Sequence, residues 1–575
     1  EIQMSEPTRP PRRYRDPMSF SAPRQVTDGV ANGAPRTAAP RSSDFVDAEQ
    51  MDVCGLPAFV IDSPGPLVAG LTFRVGVIDE VLPQRGVTHL VEHLVLHTVP
   101  RDQEYNGSVS LTETSFYVRG DDGEVVDFFR HVSRALRALP LERAETEARV
   151  LRTEARGRGQ TPFGSLATCR FGARHAGLLE YDEYGLLDPD AEAAQAWADR
   201  WFNASNAALW FSGSVPRDLE IELVAGARHL PPPVPAPAVA VPGVVFQGRG
   251  TVAVSFPSDR SAASYFALAV LRRRLHERLR VEEGRVYAIE GTREVLSADQ
   301  ALVALWCKSL DTEAQAVADA LRAELGALAT GGPSAEALEE EASQLRRLWK
   351  LPDSLVPRVI GSAAGHLQGR PPFSPEAFLD ELEALRPEQV AWALSDARDS
   401  ALWLVPEATA INDKRILPVD QLPSPAIVGR SHRRRRWLDD ASKNDELVVG
   451  ADGICLQSGR GYRRAIGWTQ CQGLIEWDDA RWVVGADGFK VFVHPDEWID
   501  GAEAIDAIDA AIPRERRVRE PGGTGSAYLR EVDRRAPSSA EPWKPPEEAA
   551  AAALPTPPAP AAADGARSRR SWLRR

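Results

Sequence analysis

The chain has 575 residues, of which 43% are hydrophobic and 26% charged, and a formal net charge of −14. That composition is ordinary for globular protein, the length calls for about three folded units, and the acidic balance argues against general nucleic-acid binding. The five cysteines (Cys54, Cys169, Cys307, Cys455, Cys471) show no CxxC spacing, which suits a reducing compartment, and no long uncharged apolar run offers a membrane span.

Residues 1–48 are rich in Pro, Arg, Ser, Thr and Ala, carry no apolar period and lack the order of a secretory signal. They are expected to be a disordered tail, and the protein is expected to be cytoplasmic. Strands are predicted at Ala58–Ile61 and Leu67–Val75, on either side of the Asp62-Ser63-Pro64-Gly65 turn. A helix is predicted over about 84–97, within which Val87-Thr88-His89-Leu90-Val91-Glu92-His93-Leu94-Val95 sets three polar residues in an apolar run. Buried polar groups are costly without partners. On a helix His89 and His93 are one turn apart on one face, so both imidazoles can reach one metal ion. Two neutral imidazoles suit Zn²⁺, which needs a third protein ligand and an open position to be catalytic. Glu92 stands beside them and can take a proton from a water that the metal activates, so the implied chemistry is hydrolysis. His97 lies one turn further along the same face.

A third strand is predicted at Ser110–Arg119, with Asn106-Gly107 at its start, followed by helices at 123–138 and 140–157. On the second helix Glu147 and Glu154 are two turns apart and share a face, although a Glu-rich helix by itself reads as a solvated surface. His131 and His175 belong to no motif. Trp201–Gly213 reads as the helix, turn and strand that close the first unit, and Pro231–Pro242 as an extended linker. A second unit repeats the order: a strand at 251–257, a helix at 262–282, strands at 285–295 and 301–308, helices to about 398, and a closing strand at Ala401–Val405. It has no HxxEH, but it carries Arg280 and Tyr287 seven residues apart around Gly284. The cluster His432-Arg433-Arg434-Arg435-Arg436 sits in a proline-containing linker, where a lipid or nucleic-acid contact is the lesser expectation. Beyond it Val448–Gly453 recurs as Val483–Gly488, each copy ending in the Asp-Gly of a hairpin, before a helix at about Glu497–Ala511.

The HxxEH helix, its approach through Gly76-Val77-Ile78-Asp79-Glu80, the Glu147/Glu154 pair and the Arg280/Tyr287 pair resemble the insulinase/pitrilysin metallopeptidases, in particular their short processing-peptidase-like members, over about residues 50–410. The resemblance implies an α+β fold of two consecutive metallopeptidase-like halves, with mostly antiparallel sheets and helices. It also implies that Glu154 is the third zinc ligand beside His89 and His93, that Glu147 orients the site, and that Glu92 is the general base. Arg280 and Tyr287 would reach across to steady an oxyanion, and Asn106 and Gly107 would hold substrate on an edge strand. Such proteins build a closed chamber from four halves, so a homodimer or a related non-catalytic subunit is expected, with peptides or unstructured segments as substrates. The alternative is a scaffold of the same fold that binds peptides without cutting them. Between His93 and Glu154 the chain is shorter than the family's by about one helix and its loop. The expected divisions are a tail (1–48), a zinc-binding half (49–230), a linker (231–244), the second half (245–411), a basic linker (412–445), a small β-rich unit (446–512) and a disordered Ala/Pro/Arg-rich tail (513–575). The small unit's strands and final helix resemble a pleckstrin-homology-like barrel, which in the scaffold alternative would be a docking module for a partner or membrane surface.

Overall fold

The structure is a computed structural model that describes residues 45–520 apart from 158, 420–423, 425, 436–443 and 458–462, together with residue 524. Most of the two expected tails lies outside the described residues. Two expectations about their limits change. Residues 45–48 pack on the second half, where Arg358 donates to the Val46 carbonyl and Phe45 meets Trp349 edge-on. Residues 513–519, expected in the tail, include a paired strand described below.

The first half runs β1 (Glu49–Val53), β2 (Leu56–Val60), β3 (Leu67–Phe73), α1 (Val87–Leu96), β4 (Glu104–Val109), β5 (Thr114–Gly120), α2 (Asp122–Arg137), α3 (Ala144–Gly157), α4 (Pro162–Phe171), α5 (Ala191–Trp201) and β6 (Ala207–Phe211). Its sheet has the order β1-β2-β6-β3-β5-β4, with β2 and β6 parallel and the other pairs antiparallel. The strand expected at Ser110–Arg119 is instead the second arm of a hairpin. Ser110 Oγ accepts from the Thr112 and Glu113 amides, so the chain turns there, and Asn106 and Gly107 fall on β4 at the sheet edge.

The second half repeats the plan with β7 (Gly243–Phe246), β8 (Thr251–Asp259), α6 (Ala262–Leu275), β9 (Val286–Val295), β10 (Gln300–Ser309), α7 (Ala314–Gly331), α8 (Ala335–Trp349), α9 (Leu355–Leu367), α10 (Pro375–Glu383), α11 (Pro387–Asp399), β11 (Leu402–Val405) and the short β12 (Leu417–Pro418). The sheet order is β12-β7-β11-β8-β10-β9. Each sheet is covered on both faces, once by its own helices and once by a helix of the other half. In β6, Leu209 and Phe211 face the first half's core, while Ala208 and Trp210 face Val359, Ala363 and Leu367 of α9. In β11, Trp403 and Val405 face the second half's core, while Leu402 and Leu404 join Leu166, Ala167 and Phe171 of α4. Strands buried on both faces read as continuous apolar runs, as Ala207–Phe211 does. Arg170 of α4 is 1% exposed and crosses to the second half, donating to the carbonyls of Ser255 and Ser400 at 2.9 Å each.

Next to α4, His175 is 6% exposed and adopts a left-handed backbone with φ 54°; neither ring nitrogen has a hydrogen-bond partner. Burial, with Arg174 and Arg74 adding to it, holds its pKa down at about 4. The unfolded chain therefore takes up this proton first as the solution is acidified, and stability falls between the ordinary histidine value of about 6.5 and about 4, by roughly 3 kcal/mol when complete. His175→Asn tolerates the same backbone without titrating. Urea unfolding is expected to show its stability relative to wild type rising by about 3 kcal/mol from pH 7 to pH 4. A constant difference across that range would contradict the assignment.

The third unit consists of β13 (Gly429–Arg433), β14 (Glu446–Gly450), β15 (Gly453–Gln457), β16 (Arg463–Gly467), β17 (Cys471–Glu476), β18 (Arg481–Gly485), β19 (Lys490–Val493), α12 (Gly501–Ala511) and β20 (Arg517–Arg519). Its strands form two sheets, β13-β14-β15-β16 and β19-β18-β17-β20, around a core that includes Leu447, Ile466, Leu474, Val483, Trp498 and Ile508. The expected barrel is thus corrected to two sheets that do not close on one another among the described residues. Its limits also widen, because β13 comes from the expected basic linker and β20 from the expected tail. Two of the linker arginines are used locally: the Arg434 guanidinium lies 5.5 Å from the Trp498 ring centre and 3.4 Å from Glu497, and Arg435 donates to the Trp498 carbonyl. The unit is built onto the first half. Ile475, Trp477 and Val484 share a core with Val77, Leu82, Phe163 and Tyr181.

Candidate active site

α1 begins where Gly86, at φ 99°, turns the chain, and the buried Glu80 carboxylate accepts from the Gly86 and Thr88 amides at 3.0 Å each. A carboxylate at a helix N-terminus satisfies amides that lack intrahelical partners. Leu90, Val91, Leu94 and Val95 then anchor the helix in the core. This fixes the opposite stripe of His89, Glu92 and His93.

Among the described residues these three form the one group whose metal-competent atoms all lie within 4.8 Å of one another. The imidazole rings are 5.0 Å apart and nearly perpendicular. Each Nδ1 has a carboxylate beside it. His89 Nδ1 is 3.0 Å from Glu183 Oε1, and His93 Nδ1 is 3.6 Å from Glu147 Oε2. On its other side His93 Nε2 is 3.7 Å from Glu92 Oε2. A carboxylate at Nδ1 favours the tautomer that keeps the lone pair on Nε2, the form in which histidine ligates a metal. Two neighbouring imidazoles, each with a carboxylate at Nδ1, and the Glu92 carboxylate within 4.8 Å of both are a donor set that fits zinc.

Glu147 also sits 3.7 Å from His97 Nδ1 and accepts from Arg143 at 2.9 Å. Further along the same helix Arg152 donates to the carbonyls of Leu186 and Leu187, in the segment that carries Glu183. α3 therefore runs back along α1 from the His93 end toward the His89 end. Glu154, two turns beyond Glu147, is carried in that direction; its side chain is exposed and stands outside the three-residue group.

β4 passes directly over this stripe. A Cβ at Gly107 would meet Glu92 Oε1 and Leu96 Cδ1, so glycine lets the edge strand lie against the acid without displacing either side chain. Asn106 is fixed by its side-chain amide donating to the Tyr117 hydroxyl at 3.1 Å, while its carbonyl oxygen accepts from the Gly107 amide. Arg280 lies in the π-helical turn His276–Glu282 that continues α6 and donates to the Val286 carbonyl at 3.0 Å; the Tyr287 ring is 57% exposed. The structure thus brings together His89, Glu92, His93, Glu147 and Gly107, and leaves Glu154, Arg280 and Tyr287 outside that cluster. The sequence reading missed Glu183. It lies in an irregular stretch with no periodic pattern, and nothing local marks it as a partner of His89.

No family model matches the sequence, and no curated protein matches it. Solved structures do match in fold. "The crystal structure of a protease from Helicobacter pylori" aligns at TM-score 0.52 and 14% identity over 63% of this chain and 100% of that one. A putative M16-like peptidase from Alicyclobacillus acidocaldarius aligns at TM-score 0.50 and 13% identity over 65% and 98%. A chain of complex III from Candida albicans aligns at TM-score 0.52 and 12% identity over 64% and 98%. The chain accordingly shares, over nearly two thirds of its length, the α+β fold of these solved structures, a protease and a putative M16-like peptidase among them.

Proposed function

We propose that the protein is a zinc-dependent endopeptidase that hydrolyses peptides or unstructured polypeptide segments. The observation that carries this reading is the pairing of His89 and His93 with carboxylates at both Nδ1 atoms and with Glu92 beneath the edge strand β4. His89 and His93 would hold the metal, with Glu147 orienting His93 and with Glu154, which is exposed and outside the three-residue group in this structure, as the proposed third ligand. When bound, zinc supplies a Lewis acid that activates water and polarises the scissile carbonyl. Glu92 takes the proton from the attacking water and returns it to the leaving amine. Substrate adds as a further strand along β4 at Asn106 and Gly107, which needs backbone hydrogen bonds and little sequence. Arg280 and Tyr287, which stand outside the cluster, are the proposed donors to the tetrahedral oxyanion.

One chain supplies two halves, so the enclosing chamber would be completed by a second copy or by a related subunit without the metal motif. All five cysteines are free, which suits the cytoplasm as the working compartment. No described helix is long and apolar enough to cross a membrane. Cleavage of a quenched unstructured peptide is expected to stop on treatment with a chelator and to return with one equivalent of zinc. Peptide binding without any zinc-dependent cleavage would favour the scaffold instead.

A further inference from the structure

We infer that Glu183 is a positioning residue that fixes the His89 imidazole for metal binding, and that the third unit helps hold it there; this rests on the zinc reading above. Glu183 Oε1 lies 3.0 Å from His89 Nδ1, with the two side chains 7% and 14% exposed, and Arg85 stands 3.5 Å from the same oxygen. A carboxylate set between a guanidinium and an imidazole is placed to accept hydrogen bonds from both, so Nδ1 is the donor and Nε2 keeps its lone pair. His93 is held more loosely, because its carboxylate, Glu147, is 3.6 Å away and is shared with Arg143 and His97.

The segment that carries Glu183 is built in from both sides. Toward α1, a Cβ at Gly86 would come within 2.6 Å of Glu183 Cβ, the Gly185 amide donates to the Arg85 carbonyl at 2.9 Å, and Arg85 Nε donates to the Leu178 carbonyl at 3.1 Å. Toward the third unit, the Lys490 ammonium sits 4.7 Å from the centre of the Tyr181 ring, two residues before Glu183, and equally far from Trp482. A Cβ at Gly488 would lie 3.2 Å from the Tyr181 hydroxyl, and one at Gly473 would lie 3.0 Å from Leu82, whose turn leads into α1. The third unit therefore reaches the metal helix through contacts on both strands of chain that meet at His89. Its place is that of a brace for the site.

The test is zinc affinity, measured in the full chain by competition with a chromophoric chelator, for wild type, Glu183→Ala and Glu183→Gln. Alanine is expected to weaken binding about 10- to 100-fold. Glutamine keeps the shape and an acceptor oxygen, so it is expected to recover part of that loss. The visible spectrum of the cobalt-substituted protein is expected to shift in Glu183→Ala, which a purely structural role would leave unchanged, and the melting temperature of the metal-free proteins reports on folding. Wild-type zinc binding that both variants keep within twofold overturns the assignment of Glu183 and leaves the peptidase reading standing. A wild type that binds no zinc overturns both.

Discussion

Glu92→Gln is expected to lower kcat on a quenched peptide by about 10²- to 10⁴-fold while leaving KM and zinc content near wild type. The side chain is 6% exposed, rises from a helix anchored by four buried aliphatics, and lies against the backbone of β4 at Gly107. Glutamine fits the same space and differs in being unable to accept or return a proton. Glu92 also stands among the three metal-competent groups, so it has a rival role as a ligand. The two roles separate in one preparation, because loss of a ligand empties the site, whereas loss of the base leaves it filled and idle. A variant that cleaves as fast as wild type refutes the assigned base, and one that loses its zinc transfers Glu92 to the ligand set.

Trp210→Ala is expected to cost about 3–5 kcal/mol in urea unfolding, the range for truncating a fully buried tryptophan. Trp210 is 0% exposed, its indole N–H donates to Thr72 Oγ1 at 3.1 Å, and its ring fills the space that a side chain at position 70 would need, opposite Gly70. On its outer side it meets α9 of the second half, in the cluster with Val359, Ala363 and Leu367. The cavity would thus open inside the seam between the halves, where neither core can collapse to fill it. Trp210→Phe keeps most of the apolar contact and is expected to cost well under half as much. Equal losses for the two variants would mean that the hydrogen bond to Thr72, and not packing, holds the seam.

The parts of this architecture that were legible in the sequence are those written in local pattern. The α1 stripe stands out because three polar residues interrupt an apolar helical run, and β3, β8 and β10 stand out as β-rich runs between turns. The repeat of strand, helix, hairpin and closing strand in residues 251–405 could be followed by order alone. What escaped depends on distant partners. The split of β4 from β5 rests on one serine that satisfies two turn amides, which an alternating strand pattern does not betray. β13 and β20 lie in basic, proline-flanked sequence and become strands because β14 and β17 pair with them. Glu183 is ninety residues beyond His93 and is brought to His89 by the packing of the third unit and the 3₁₀ turns around it. Glu147 and Glu154 could be placed on one face, but the choice of which meets a histidine is made by the direction in which α3 crosses α1.

The most direct measurement is the metal content of the purified full chain after dialysis against metal-free buffer, for wild type and for the His89→Ala/His93→Ala double variant. One zinc per chain in wild type and almost none in the double variant is the expected result. Well under one zinc in wild type, or a full equivalent retained without the two imidazoles, would contradict a metal centre on α1.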